Sequence, residues 1–165
     1  MASTYEKIAT TTLSSAAASI TFSSIPGTYT DLVLVMNTTL SSGNSNLRFR
    51  FNSDTSNNYS VTWLYSQSGS AYSNRSSNLS SGYCDYNNAS SSEVSNQILN
   101  IINYSNTTNN KTVIGRANRA NAGTDAVVNL WRNTSAITPF LIFTESSVNF
   151  VAGSTFTLYG ILKAA

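Results

Sequence analysis

The groups able to do chemistry in this chain are few. Histidine is absent from all 165 residues. That removes the commonest general base, the commonest metal ligand and every histidine-dependent triad. Cys84 is the only cysteine, so neither an intramolecular disulfide nor a zinc site of the usual kind can form. No Gly-rich phosphate loop with its lysine is present. Carboxylate pairs are the remaining route to catalysis, because a glycosidase needs only two acids flanking its bond. Asp31, Asp54, Asp85, Glu93, Asp125 and Glu145 are the acids to consider. They fall in different segments and follow no motif, so the expectation is a protein without catalytic residues, metal or cofactor. The loop Asn52–Asn58 offers the hard oxygens that Ca²⁺ prefers. It lacks spaced acids, and it reads as an Asx-turn joining two strands.

A second kind of chemistry is recognition. Trp63, Tyr65, Tyr72, Tyr83 and Tyr86 lie in or near a stretch rich in Ser, Gly, Asn and Tyr, the residues of adaptable contact surfaces. Tyr72, Arg75, Tyr83, Asp85 and Tyr86 are the candidates for glycan or surface recognition. The competing reading of Trp63 and Tyr65 is burial in the fold or in a subunit contact.

Charge is sparse, at 10% of residues, with a net charge of +2. A nucleic-acid binder shows a clustered basic stripe, whereas the basic residues here are scattered apart from Arg48/Arg50 and Arg116/Arg119. Nucleic acid is therefore not an expected partner. Met1–Lys7 lacks the layout of a signal peptide, and no apolar run approaches the roughly 20 residues that span a bilayer, so no membrane partner is expected either.

Strand patterns dominate the elements that must position these groups. Leu47–Phe51 alternates strictly, with both arginines outward. Asp31–Thr38 is a near-continuous apolar run, which implies burial on both faces or a subunit contact. Further strands are expected over Ser19–Phe22, Tyr59–Ser66, Ile98–Tyr104, Lys111–Ala117, Ala126–Arg132, Ile137–Thr144 and Gly153–Ile161. Pro139 removes a ladder donor and predicts an edge or a bulge there. Gln67–Ser92 reads as a long polar loop with short strands around Arg75–Leu79. Eight to ten strands at this spacing predict an all-β, antiparallel sandwich, jelly-roll-like, over residues 19–165. Residues 1–18 are a short extended N-terminal arm or a first strand.

Four segments carry a family likeness. "GSTFTLYGI" (153–161), "SITFSSIPGTYTDLVLVMN" (19–37), "RFNSDTSNNYS" (50–60) with the following "WLYSQSGSAYS" (63–73), and "NIINYSNTTNNKTVIGRA" (100–117) resemble a family of tailed-bacteriophage virion structural proteins, of the capsid decoration or tail type, from phages of cyanobacteria and marine bacteria. The resemblance implies a noncatalytic particle component, made in the host bacterial cytoplasm and carried on the virion. Its first form is a capsid decoration or cement protein, homotrimeric, bridging the major capsid protein or other virion proteins. Tyr5, Ile8 and Leu13 on the arm and Leu32, Leu34 and Met36 on the apolar run are then the expected partner contacts. The alternative is a receptor-binding tail-fibre head that recognises host polysaccharide, or a minor tail subunit.

Overall fold

Period-two alternation places apolar side chains on one face of each main strand, and two sheets close over them. The computed structural model describes residues 4–67, 69–86 and 89–162. They form the strands β1 (Tyr5–Thr12), β2 (Ser19–Phe22), β3 (Tyr29–Thr38), β4 (Asn44–Ser45), β5 (Leu47–Phe51), β6 (Tyr59–Gln67), β7 (Ser70–Leu79), β8 (Gly82–Tyr83), β9 (Ala89–Ser90), β10 (Ser95–Ile102), β11 (Lys111–Arg119), β12 (Gly123–Trp131), β13 (Phe140–Thr144) and β14 (Thr155–Leu162). No helix occurs among the described residues. An eight-stranded sheet runs β1-β14-β3-β10-β11-β12-β6-β7, a four-stranded sheet runs β2-β13-β5-β8, and β4 pairs with β9. All named pairs are antiparallel. The expected antiparallel, jelly-roll-like sandwich is therefore what the chain forms, with one sheet twice the width of the other.

The core lies between the sheets. Leu32, Leu34 and Met36 of β3, Leu99 and Ile101 of β10, Trp131 of β12 and Phe156 and Leu158 of β14 face Ile20, Phe22, Phe49, Phe51, Phe140 and Ile142 of the smaller sheet. Each such side chain contributes about 1.5–3 kcal/mol by leaving water. Phe49 sits at the centre, 4.8 Å from Phe51, 5.9 Å from Phe140 and 6.1 Å from Tyr59, ring centre to ring centre. It lies flat on Gly82, where an added Cβ would meet its Cζ at 2.2 Å. Glycine is required there to let the ring and the β8 backbone approach.

Lys111 is fully buried at the start of β11. Its Nζ donates to the backbone carbonyls of Asn106 (2.7 Å), Asn109 (2.8 Å) and Thr134 (3.0 Å). The ammonium thus ties the β10–β11 turn to the segment after β12, and its loss of hydration lowers its pKa.

Of the two alternatives for the N-terminus, residues 5–12 take the first strand: β1 pairs with β14 from Tyr5↔Ile161 to Thr12↔Thr155, with a bulge between Lys7 and Ala9. Two expectations change. Residues 70–79 are not loop but a full strand along β6. Every residue of β7 is exposed or half-exposed, so it carries no apolar alternation to read; backbone pairing holds this edge, helped by Tyr72 against Tyr65 and by Leu79 against the core. β13 is neither an edge nor bulged, because it lies between β2 and β5. Pro139 precedes its first residue and so removes nothing from the ladder, while its carbonyl accepts the Asn52 N–H at 3.0 Å.

Candidate functional site on the outer face of the large sheet

The acids do not converge on a cleft. Asp85, a candidate recognition residue, is buried between the sheets, where Oδ1 accepts the Leu47 N–H and Oδ2 accepts the Gln97 amide, both at 3.2 Å. Burial, reinforced by the nearby Asp125 charge, pushes its carboxyl well above the usual range. It therefore cannot meet a ligand. Asp125 accepts the Tyr86 N–H at 2.6 Å. Burial likewise pushes the Cys84 thiol up, leaving a protonated core residue. Glu145 pairs with Arg48 and accepts from Asn46 (2.7 Å) and Tyr83 (3.2 Å). Glu93 lies 3.4 Å from Arg119.

Asp54 is occupied as well. Oδ1 accepts Ser56 N–H at 2.9 Å, and Oδ2 accepts Asn58 Nδ2 (2.9 Å) and Trp131 Nε1 (2.7 Å). This is the expected Asx-turn, extended by a tie to a buried indole. Among the described residues no group of three acids, cysteines or histidines is placed to hold a metal.

The expected partner contacts are mostly spent inside the molecule. Leu32, Leu34 and Met36 are fully buried, because β3 lies mid-sheet with the smaller sheet over its apolar face. Ile8 and Leu13 pack against the same core. Tyr5 stays about half exposed, edge-on to Tyr159.

The tyrosines form a continuous ladder rather than a loop surface. The Arg48 guanidinium lies 3.5 Å over Tyr83. Tyr83 and Tyr86 pack on Trp63 at 4.8 and 5.3 Å, and Tyr65 contacts Tyr86 at 4.0 Å and stacks on Tyr72 at 5.5 Å. Trp63 and Tyr65 are strand residues facing inward, as the burial reading expected. Tyr72 opposes Tyr65 and shares its face, whereas Arg75 opposes Thr62 and points to the other side. The candidate recognition residues are thus divided between the two faces of the sheet.

The face reached by Arg75 is the outer surface of the eight-stranded sheet, and register orders it in rows. One row crosses Ile98, Arg116, Ala126, Leu64 and Ser73; the next crosses Asn100, Ile114, Val128, Thr62 and Arg75. A third is polar throughout: Asn37, Asn96, Asn118 and Thr124, with the Ser66 hydroxyl on the Thr124 carbonyl. Leu64 is 59% exposed, Val128 49% and Ile114 39%. Depressions of about 540, 380, 380 and 200 Å³ open along this face. Their walls include Leu64, Ser73, Arg75, Asn96, Arg116 and Thr124. Arg116 was legible only as part of a basic pair. That it shares a face with Arg75 follows from the order of strands, which no local pattern announces.

No protein-family model matches the chain, and no curated protein does. Among solved structures the chain is similar to the Caenorhabditis elegans galectin LEC-6, with 11% identity and a TM-score of 0.40, over 90% of this chain and 94% of that one. Similarity at that level carries no argument about function, which rests on the residues themselves.

Proposed function

We propose that this chain is a noncatalytic structural component of a tailed-bacteriophage particle, and that it works by recognising host surface polysaccharide. The virion setting comes from the four-segment family resemblance. One observation carries the choice of polysaccharide: the outer face of β10, β11, β12, β6 and β7 is uncovered, contoured, and lined by amides and hydroxyls beside apolar side chains. A saccharide presents the matching surface, hydroxyls around C–H faces. The decoration reading rests on the same resemblance and keeps Tyr5 as an exposed contact, but β1 belongs to the sheet and Leu32, Leu34 and Met36 belong to the core.

Capsid decoration by a homotrimer remains the second reading, favoured by the exposed Leu64, Ile114, Val128 and Leu130 on that face, which suit contacts between protein surfaces. Two pull-downs separate the readings. Purified protein is sedimented with undecorated capsids, and separately passed over immobilised host polysaccharide. Retention on polysaccharide with none on capsids is the expected result. Saturable capsid binding at a simple fraction of the major capsid subunit, with no polysaccharide retention, refutes the recognition reading and restores decoration.

A further inference from the structure

Resting on the polysaccharide reading, we infer that the outer-face site takes an acidic saccharide, a chain of pyranoses bearing carboxylates, held between Arg116 and Arg75 across the trough floored by Ala126.

Charge is one-sided over the part of this face that β10, β11, β12, β6 and β7 form; Asp31 lies beyond it on β3. On β10, β11, β12, β6 and β7 the single acid is Asp125, and it is buried toward the inside. Every outward position on these strands is therefore either neutral or one of the two arginines. Both arginines are exposed, and neither side chain has an ion-pair or hydrogen-bond partner among the described residues. The remaining arginines are all engaged: Arg48 with Glu145, Arg50 with the Ser80 carbonyl and over Phe143, Arg119 with Asn44 and Glu93, and Arg132 with Ser60 and the Asn57 carbonyl. Arg75 and Arg116 thus stand out as uncommitted five-donor forks, whose geometry matches a carboxylate bidentately.

Their spacing suits a chain better than a point ion. Register places Arg116 beside Ala126, Leu64 and then Ser73, with Arg75 two residues further along β7. Three strand spacings and one two-residue step put their Cα atoms about 16 Å apart, a span of several sugar rings. Between them Ala126 is the shortest side chain of its row, flanked by Arg116 and Leu64; the gap it leaves, between the depression beside Arg116 and the one beside Leu64 and Ser73, is the trough assigned to a ring. Leu64 and Val128 offer C–H surface, while Thr62, Ser73 and Asn118 offer hydrogen bonds. Arg75 and Arg116, with Lys7 and Asp31 of the flanking strands as the other charges turned to this side, are too few cations for nucleic acid, which requires a denser basic stripe.

The test uses the intact protein and three probes in isothermal titration: an oligogalacturonate hexamer, maltohexaose as the neutral saccharide, and a polyglutamate peptide as an anion without sugar. The variants are Arg75→Gln, Arg116→Gln and Ala126→Trp, with wild-type melting temperature as the control for folding; all three side chains point outward. Oligogalacturonate alone is expected to bind, more weakly as salt rises. Each arginine change should weaken it by roughly five- to tenfold, as one exposed charge-assisted contact is lost. Ala126→Trp, which keeps both charges but fills the trough, should abolish binding. Equal binding of maltohexaose overturns the acidic class while leaving the polysaccharide reading standing. Equal binding of polyglutamate, or a full response in Ala126→Trp, overturns saccharide recognition at this trough. Failure of every probe, with capsid co-sedimentation that Arg116→Gln removes, overturns both and assigns the face to the capsid.

Discussion

Asp54 is the residue whose loss the structure quantifies best. Its carboxylate accepts from Ser56 N, Asn58 Nδ2 and Trp131 Nε1, but these donors are not equivalent. Ser56 is exposed and Asn58 half-buried, so water can replace the carboxylate for both. Trp131 is fully buried, and its indole N–H has no such recourse. Asp54→Ala therefore strands one buried donor and removes a charge-assisted hydrogen bond, which costs about 2–3 kcal/mol. In a chain of this size that lowers the melting temperature by about 5–10 °C. Asp54→Asn behaves differently. An amide oxygen placed at the Oδ2 position still accepts from both Asn58 and Trp131, and only the exposed Ser56 contact is lost, so the fall should stay under about 1 kcal/mol.

The pH dependence supplies an independent handle. Burial alone would raise the Asp54 pKa, but hydrogen bonds from Asn58, Trp131 and Ser56 outweigh it and hold the carboxyl below its ordinary 3.8. A depressed pKa stabilises the fold above the unfolded-state value, and that stability is lost as pH falls through the folded-state value. Wild type should lose this increment on acidification below about pH 4, whereas Asp54→Asn should not. Far-UV circular dichroism melts from pH 2 to 7 measure both effects, and a double-mutant cycle with Trp131→Phe isolates the pair, with an expected coupling of about 1–2 kcal/mol. Equal stabilities for the Ala and Asn variants, or a coupling near zero, would refute the assignment of Asp54 as the partner of a buried donor.

Two further outcomes follow from the same structure. Asp85 is displaced in the opposite direction: burial and the Asp125 charge raise its pKa, so the folded state holds the proton longer and stability falls as pH rises from about 3.8 through the raised value. Asp85→Asn should flatten that decline and be the more stable protein at pH 8; parallel pH profiles for the two proteins would count against it. Deleting residues 2–13 strips β1 from β14 and exposes a long strand edge. The truncated chain should melt lower and scatter light with increasing concentration, whereas an unchanged melting temperature would return these residues to the status of a free arm.

What was legible in the sequence divides according to whether burial leaves a mark on it. Leu47–Phe51 alternates because one of its faces meets the core, and the alternation shows the strand; that Arg48 on its other face is also buried, over Tyr83, leaves no mark. The apolar run Asp31–Thr38 shows a strand, yet it does not tell inward core side chains from partner contacts. A central strand whose outward valines are also largely covered looks the same as a strand shared between subunits. β7 looks like loop for the complementary reason: neither of its faces is fully buried, so it carries no period at all. Asp85 illustrates the limit for single residues. Within the polar run Gly82–Tyr86 nothing local shows that Leu47 N and Gln97, 38 and 12 residues away, draw its carboxylate inward. The outer-face site is the most distant from local pattern. Arg116 and Arg75 share a face only because β6 and β7 pair beyond β12, so that two residues separated by 41 positions in the chain stand on adjoining rows. Register, once known, makes the face explicit: a strand shifted by one residue against its neighbour would send Arg75 to the tyrosine side and leave Arg116 alone. The pairing Thr62↔Arg75 is therefore the feature on which the acidic-saccharide site depends.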